Sequence, residues 1–116
     1  MKEVRCEDGG RMLEVYRSEE WGQVNVRTIP PGVRVGGHRH PRTNERWLLL
    51  RGDRVAVTLG SKDQTFQCCP WEIVDVPAGV GHIVENFGDD EAVLLFWRDR
   101  LYDPRDVDKE PWDGNI

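Results

Sequence analysis

Imidazole is scarce in this chain. Of 116 residues, only His38, His40 and His82 are histidines. His38 and His40 stand two apart in a strand-like segment, so their side chains project to one face. Glu45 follows five residues after His40, and His82 comes just beyond the turn Pro77-Ala78-Gly79. Three imidazoles and a carboxylate from neighbouring strands are a donor set for a divalent transition metal (zinc, nickel, manganese or iron), with positions left for water or substrate. The same residues could also work without metal, as an acid and base lining a pocket.

Residues so far apart in sequence need a closed sheet to bring them together. Strand-like runs recur at 23–29, 45–50, 54–59, 64–68, 71–76, 82–86 and 92–97, separated by Gly, Pro and Asp turns. In 23–29, Val24, Val26 and Thr28 alternate against Gln23, Asn25 and Arg27. No stretch sustains a helical period over two turns, so the reading is an antiparallel all-β sandwich or barrel. Gly36-Gly37, just before His38, lets its strand bend at the barrel mouth. Residues 98–116 carry two Asp/Glu-Pro pairs and six acids, a poor strand. They read as a tail that wraps the barrel or packs on a second subunit, anchored by Leu101, Tyr102 and Trp112. The expectation is one domain over 1–116, with a barrel core at about 12–97 and the tail at 98–116.

Composition narrows the partners. No apolar run approaches the ~20 residues of a membrane helix, so no spanning segment is expected. The opening residues are charged and lack an apolar core, so no secretory signal is expected and the cytoplasm is the default compartment. Three cysteines, Cys6, Cys68 and Cys69, read as free structural thiols. A net charge of -5 argues against nucleic acid as a partner. Yet residues 27–54 hold seven arginines against two acids, so this window is +5 and the remainder -10. Such arginines suit phosphate or carboxylate contacts, or else form a solvated sheet face.

Gly32, His38, His40, Glu45 and Gly52 stand at the spacing G-x5-H-x-H-x4-E-x6-G, and Pro77, Gly79, His82 and Asn86 at P-x-G-x2-H-x3-N. This pair closely resembles the two motifs of the cupin superfamily. One position departs: the second motif usually opens with a glycine six residues before its proline, and Trp71 stands there. Pro70 is expected to make that turn instead. The segments 22–26, 38–46 and 77–86, with Leu101-Tyr102-Asp103-Pro104, are similar to the C-terminal cupin domain of bifunctional capsular-polysaccharide enzymes.

The resemblance implies an antiparallel jelly-roll (double-stranded β-helix) barrel with His38, His40, Glu45 and His82 as metal ligands. It also implies an isomerase that epimerises a nucleotide-linked 4-keto-6-deoxyhexose for polysaccharide biosynthesis; the reductase half of those enzymes lies outside the similarity. Arg27, Arg46 and Asn25 are then the candidate substrate contacts, with the diphosphate among the arginines. Arg27 fits only if the polar face of its strand lines the pocket, because the alternative phase turns it outward. Glu45 is a candidate base if it leaves the metal. Tyr102 is a candidate proton donor, or simply a packing anchor, and Asn86 is expected to bond backbone near the site. Two other classes share the ligand set: an iron or nickel small-molecule dioxygenase, and a non-catalytic cupin that binds a sugar or small acid. A homodimer is expected, since small barrels cover edge strands by pairing.

Overall fold

Period-two alternation decides which side chains meet. In the segment Glu45–Arg51, Glu45, Trp47 and Leu49 are buried while Arg46 and Arg51 are exposed. The computed structural model describes residues 2–114, and every regular element among them is a strand. In chain order these are β1 (Lys2–Arg5), β2 (Arg11–Ser18), β3 (Gly22–Ile29), β4 (Arg34–Arg39), β5 (Glu45–Arg51), β6 (Val55–Leu59), β7 (Thr65–Cys68), β8 (Ile73–Val76), β9 (His82–Asn86), β10 (Ala92–Arg98) and β11 (Glu110–Pro111). Among the described residues no helix is long and apolar enough to cross a membrane.

Two antiparallel sheets face each other. One has the order β1-β2-β3-β10-β5-β8 and the other β11-β4-β9-β6-β7. The chain crosses between sheets at each step from β3 to β6, and again from β7 to β10, which is the jelly-roll winding expected from the sequence. One end of the space between the sheets is filled by an apolar core that includes Ile29, Leu49, Val55, Val57 and Val76. Each such side chain contributes about 1.5–3 kcal/mol of burial free energy. Cys68 lies in this core, and burial pushes its thiol pKa up; all three cysteines are free.

Strand pairing reaches beyond residues 12–97 at both ends of the chain, once in each sheet. β1 pairs with β2, with Val4 opposite Met12. The tail returns to the barrel, where Glu110 and Pro111 pair with Arg39 and His38 of β4. The Trp112 amide donates to the Gly37 carbonyl at 2.9 Å. The Trp112 ring occupies the space a β-carbon at position 81 would need, so that position takes glycine. Asn86 is buried, and its Nδ2 donates to the carbonyls of Ile29 and Asp90 while its Oδ1 accepts from the Gly88 amide.

Trp71 marks a local conflict. It is the one non-glycine residue described with positive φ, at 70°, where the resembling motif has glycine. Its amide donates to the Leu49 carbonyl at 2.7 Å, and β8 begins only at Ile73. The turn therefore does not rest on Pro70 alone: the ring is 73% exposed and gains little packing for its left-handed backbone. Trp71→Gly should raise stability by about 0.5–1 kcal/mol, the left-handed cost less glycine's extra chain entropy. Guanidinium unfolding measures it, and a loss of stability would show that the ring's contacts outweigh the backbone cost.

Candidate metal centre

The three histidines and Glu45 gather away from the apolar core, at one end of the space between the sheets. β4 and β9 run antiparallel with His38 paired to His82, and the register shifts between Gly36 and His38. Gly36 sits at φ 97°, and a β-carbon there would lie 2.5 Å from the His82 carbonyl oxygen. Only glycine allows strands this close, and the approach brings the His38 and His82 ring centroids to 4.6 Å. His40 follows the end of β4, with its ring centroid 4.8 Å from that of His38. One ring nitrogen from each of His38, His40 and His82 lies within 4.8 Å of the others.

Protonation can be read from the hydrogen bonds. His40 Nδ1 lies 2.7 Å from the Asp108 carbonyl oxygen. A carbonyl only accepts, so Nδ1 carries the hydrogen. In the neutral ring the Nε2 lone pair then points toward Glu45 Oε2, 3.4 Å away. His82 Nδ1 similarly faces the Val80 carbonyl at 3.3 Å. Burial, the neighbouring imidazoles and the charges of Lys109 and Arg98 push the His38 pKa down to about 3. Burial also lowers that of His82, against the pull of Glu45. His38 and His82 are therefore neutral at neutral pH, the form that ligates metal.

The donor set fits a divalent transition metal. His40 Nε2 and Glu45 Oε2 come within 3.4 Å of each other, so a cation beside them could take a donor atom from each. Trp47 Nε1 donates to Glu45 Oε1 at 2.9 Å, which leaves Oε2 for that role. The Trp47 ring also packs edge-on against His82, so one indole orients two candidate ligands. The tight cluster comprises the three histidines, and Glu45 stands beside it, reached through His40.

These groups open on a cavity of about 450 Å³ whose walls include Gln23, Asn25, Trp47, Arg98, Tyr102 and Lys109. The polar face of β3 lines it, so Asn25 and Arg27 both reach its wall. The Arg27 guanidinium, however, donates to both carboxylate oxygens of Asp8 at 2.9 Å. Arg46 lies on the opposite face of β5, paired with Asp75 at 2.7 Å and outside the cavity wall. The remaining arginines of the basic window also lie outside that wall, and several of them pair with acids: Arg39 with Glu110, Arg42 with Asp106 and Asp108, Arg54 with Asp89. The window thus tethers the acidic tail. It does not bring a cluster of arginines to the cavity, the arrangement that its charge suggests, because strand alternation sends most of them outward.

Three contributors had escaped notice in the sequence. Trp47 and Arg98 share the inward phase of their strands with Glu45 and Phe96, so alternation could have found them. Asp108 had no local signal. Its buried carboxylate accepts from the Thr43 hydroxyl at 2.6 Å and from the Arg42 amide at 2.8 Å, which seats the carbonyl that orients His40. Burial alone would raise the Asp108 pKa, but these bonds outweigh it and hold the carboxyl below its usual range.

The fold and the paired motifs define a cupin, and the barrel superposes on the cupin domain of Schizosaccharomyces pombe Cnp3 with a TM-score of 0.70 at 17% identity, over 78% of this chain and 61% of that one. Residues 5–110 match the family described as "Polysaccharide biosynthesis C-terminal domain", and the chain belongs to it. It is 28% identical over 104 residues to a UDP-2-acetamido-2,6-beta-L-arabino-hexul-4-ose reductase of Pseudomonas aeruginosa, covering 85% of this chain and 28% of that protein. It also superposes on the capsular polysaccharide assembling protein CapF of Staphylococcus aureus, with a TM-score of 0.86 at 25% identity, over 97% of this chain and 34% of that one. The chain thus spans about a third or less of the length of these last two relatives.

His40→Ala and His82→Ala should each lose stoichiometric binding of nickel or zinc, where the unaltered chain takes up about one ion. Metal analysis after dialysis against a competing chelator measures this. Full occupancy in both variants would mean that the histidines serve another purpose.

Proposed function

We propose that this chain is a metal-dependent epimerase or isomerase acting on a nucleotide-linked keto-deoxysugar in polysaccharide biosynthesis. One observation carries the reading: neutral imidazoles and a buried carboxylate share one end of a cavity, in a member of a polysaccharide biosynthesis family. The Pseudomonas relative supports the substrate class, because its name specifies a UDP-linked hexul-4-ose, a sugar with a keto group. His38, His40 and His82 would hold the ion, with Glu45 as fourth ligand or neighbour. Bound there, a divalent ion supplies Lewis-acid polarisation of a carbonyl oxygen, worth several kcal/mol of charge stabilisation.

The chain's own residues then handle protons. Glu45, 6% exposed and held by Trp47 through Oε1, acts as base with Oε2 off the ion: it accepts the proton from the carbon next to the keto group, whose bonding electrons pass into the enolate. Tyr102, 44% exposed on the cavity wall, returns a proton to the opposite face of that carbon as the enolate collapses to the ketone. Glu45 leaves the step protonated and Tyr102 deprotonated, and exchange with solvent through the cavity mouth resets both. Asn25 on the cavity wall offers its amide to the sugar hydroxyls.

The outer face of the six-stranded sheet supports a homodimer. Leu13, Val26, Leu95, Leu48 and Ile73 stand in register across five strands there, an apolar row that a second copy would cover. Sedimentation at micromolar concentration should give twice the chain mass, and Leu95→Glu should shift it to the monomer; a monomeric parent chain would remove this reading.

The central test is isotopic. Metal-loaded protein in deuterated water should place deuterium on the carbon next to the keto group of a UDP-linked 4-keto-6-deoxyhexose, and Glu45→Gln should slow this by about a hundredfold or more. No exchange, together with oxygen uptake by the iron-loaded chain, would replace the reading with a dioxygenase. No exchange with tight sugar-nucleotide binding would leave a binding module.

A further inference from the structure

Arg98 closes β10 on the inward phase and lines the cavity. Its Nε is the one buried side-chain nitrogen or oxygen without a hydrogen-bond partner among the described residues. Such an atom on a cavity wall shared with Val35, Leu94 and Phe96 needs an explanation, because a buried unmet donor is costly. Its cross-strand neighbours do not supply a partner. Glu45 stands directly opposite on β5, yet its Oε1 accepts from Trp47 and its Oε2 faces His40. Gln23 stands opposite on β3, yet its Nε2 donates to Asn25 and its Oε1 accepts from the Tyr102 amide. No ion pair among the described residues includes Arg98, Lys109 or Lys2, and all three line the cavity. By contrast, Arg27 on the same wall has Asp8.

We infer that Arg98, assisted by Lys109, forms an oxyanion subsite that takes a phosphate or carboxylate group of the ligand bound beside the histidines. The inference deepens the proposed function, and rests on it only for the choice of phosphate, where it assigns the nucleotide diphosphate to Arg98 and not to the basic window. A guanidinium suits the role because it offers parallel N–H donors to two oxygens at once. Lys109, from the returning tail, adds a second positive charge on the same wall. Two cavity carboxylates, Glu14 and Glu45, oppose this charge, but Glu14 lies 3.9 Å from Arg17 and Glu45 is held as described.

The test uses the full chain freed of metal, so that no ion can capture the anion. Calorimetry with UDP and, separately, with malonate distinguishes a phosphate from a carboxylate source. At least one should bind, weaken about tenfold or more in Arg98→Gln, and recover in part in Arg98→Lys, as expected for loss of a charged hydrogen bond. Its addition should also shift the Arg98 Nε–H resonance of the unaltered chain, identified by its absence from Arg98→Lys. Nickel binding retained in Arg98→Gln shows an intact barrel; if that variant does not fold, Lys109→Gln and the Nε–H shift carry the test. Binding of malonate alone through Arg98 upholds the subsite while removing the sugar-nucleotide reading. Unchanged affinity of both anions in Arg98→Gln, or no submillimolar binding of either to the unaltered chain, overturns the subsite, and deuterium exchange into the keto sugar would then stand unaffected.

Discussion

The site depends on how closely β4 can approach β9. At Gly36 there is no room for a side chain against the His82 carbonyl. That backbone approach, with the register shift beside it, sets His38 against His82. A bulkier residue would part the strands and separate nitrogens that now lie within 4.8 Å. The site's geometry is thus first a matter of backbone sterics, and the imidazoles inherit it.

Hydrogen bonding then turns proximity into a donor set. The Asp108 carbonyl fixes the hydrogen on His40, and Trp47 fixes one oxygen of Glu45. Both supports act through uncharged groups, a backbone carbonyl and an indole N–H. The tail matters here as much as the barrel, because it delivers Asp108 and is held by Arg39 and Arg42. Exposed ion pairs of this kind contribute only ~0–1 kcal/mol each. Their role is to place the segment, while the buried Asp108 carboxylate and the packing of Trp112 secure it.

The charge pattern illustrates how a sequence signal can be right in kind and wrong in place. A +5 window and an acidic remainder suggested anion binding by the window itself. In the fold, Arg39 and Arg42 meet acids 71 and 64 residues further on. The cavity cations that form no ion pair among the described residues, Arg98, Lys109 and Lys2, lie outside the window. Summed charge over a stretch cannot report this, because alternate residues on a strand face opposite sides.

The sequence by itself determined the all-β class, most strand positions and the three histidines with Glu45, because each depends on local periodicity or on fixed spacing within a turn and strand. It also located the Trp71 departure, though not that this residue itself adopts the left-handed backbone. Only the tertiary structure decided that the tail seats His40, that Trp47 serves both Glu45 and His82, and that the Arg98 Nε has no hydrogen-bond partner among the described residues while the Arg27 guanidinium has one. These are contacts between strands and segments brought together by the winding of two sheets. A hydrogen-bond partner is chosen by distance and direction in space, and a linear pattern contains neither.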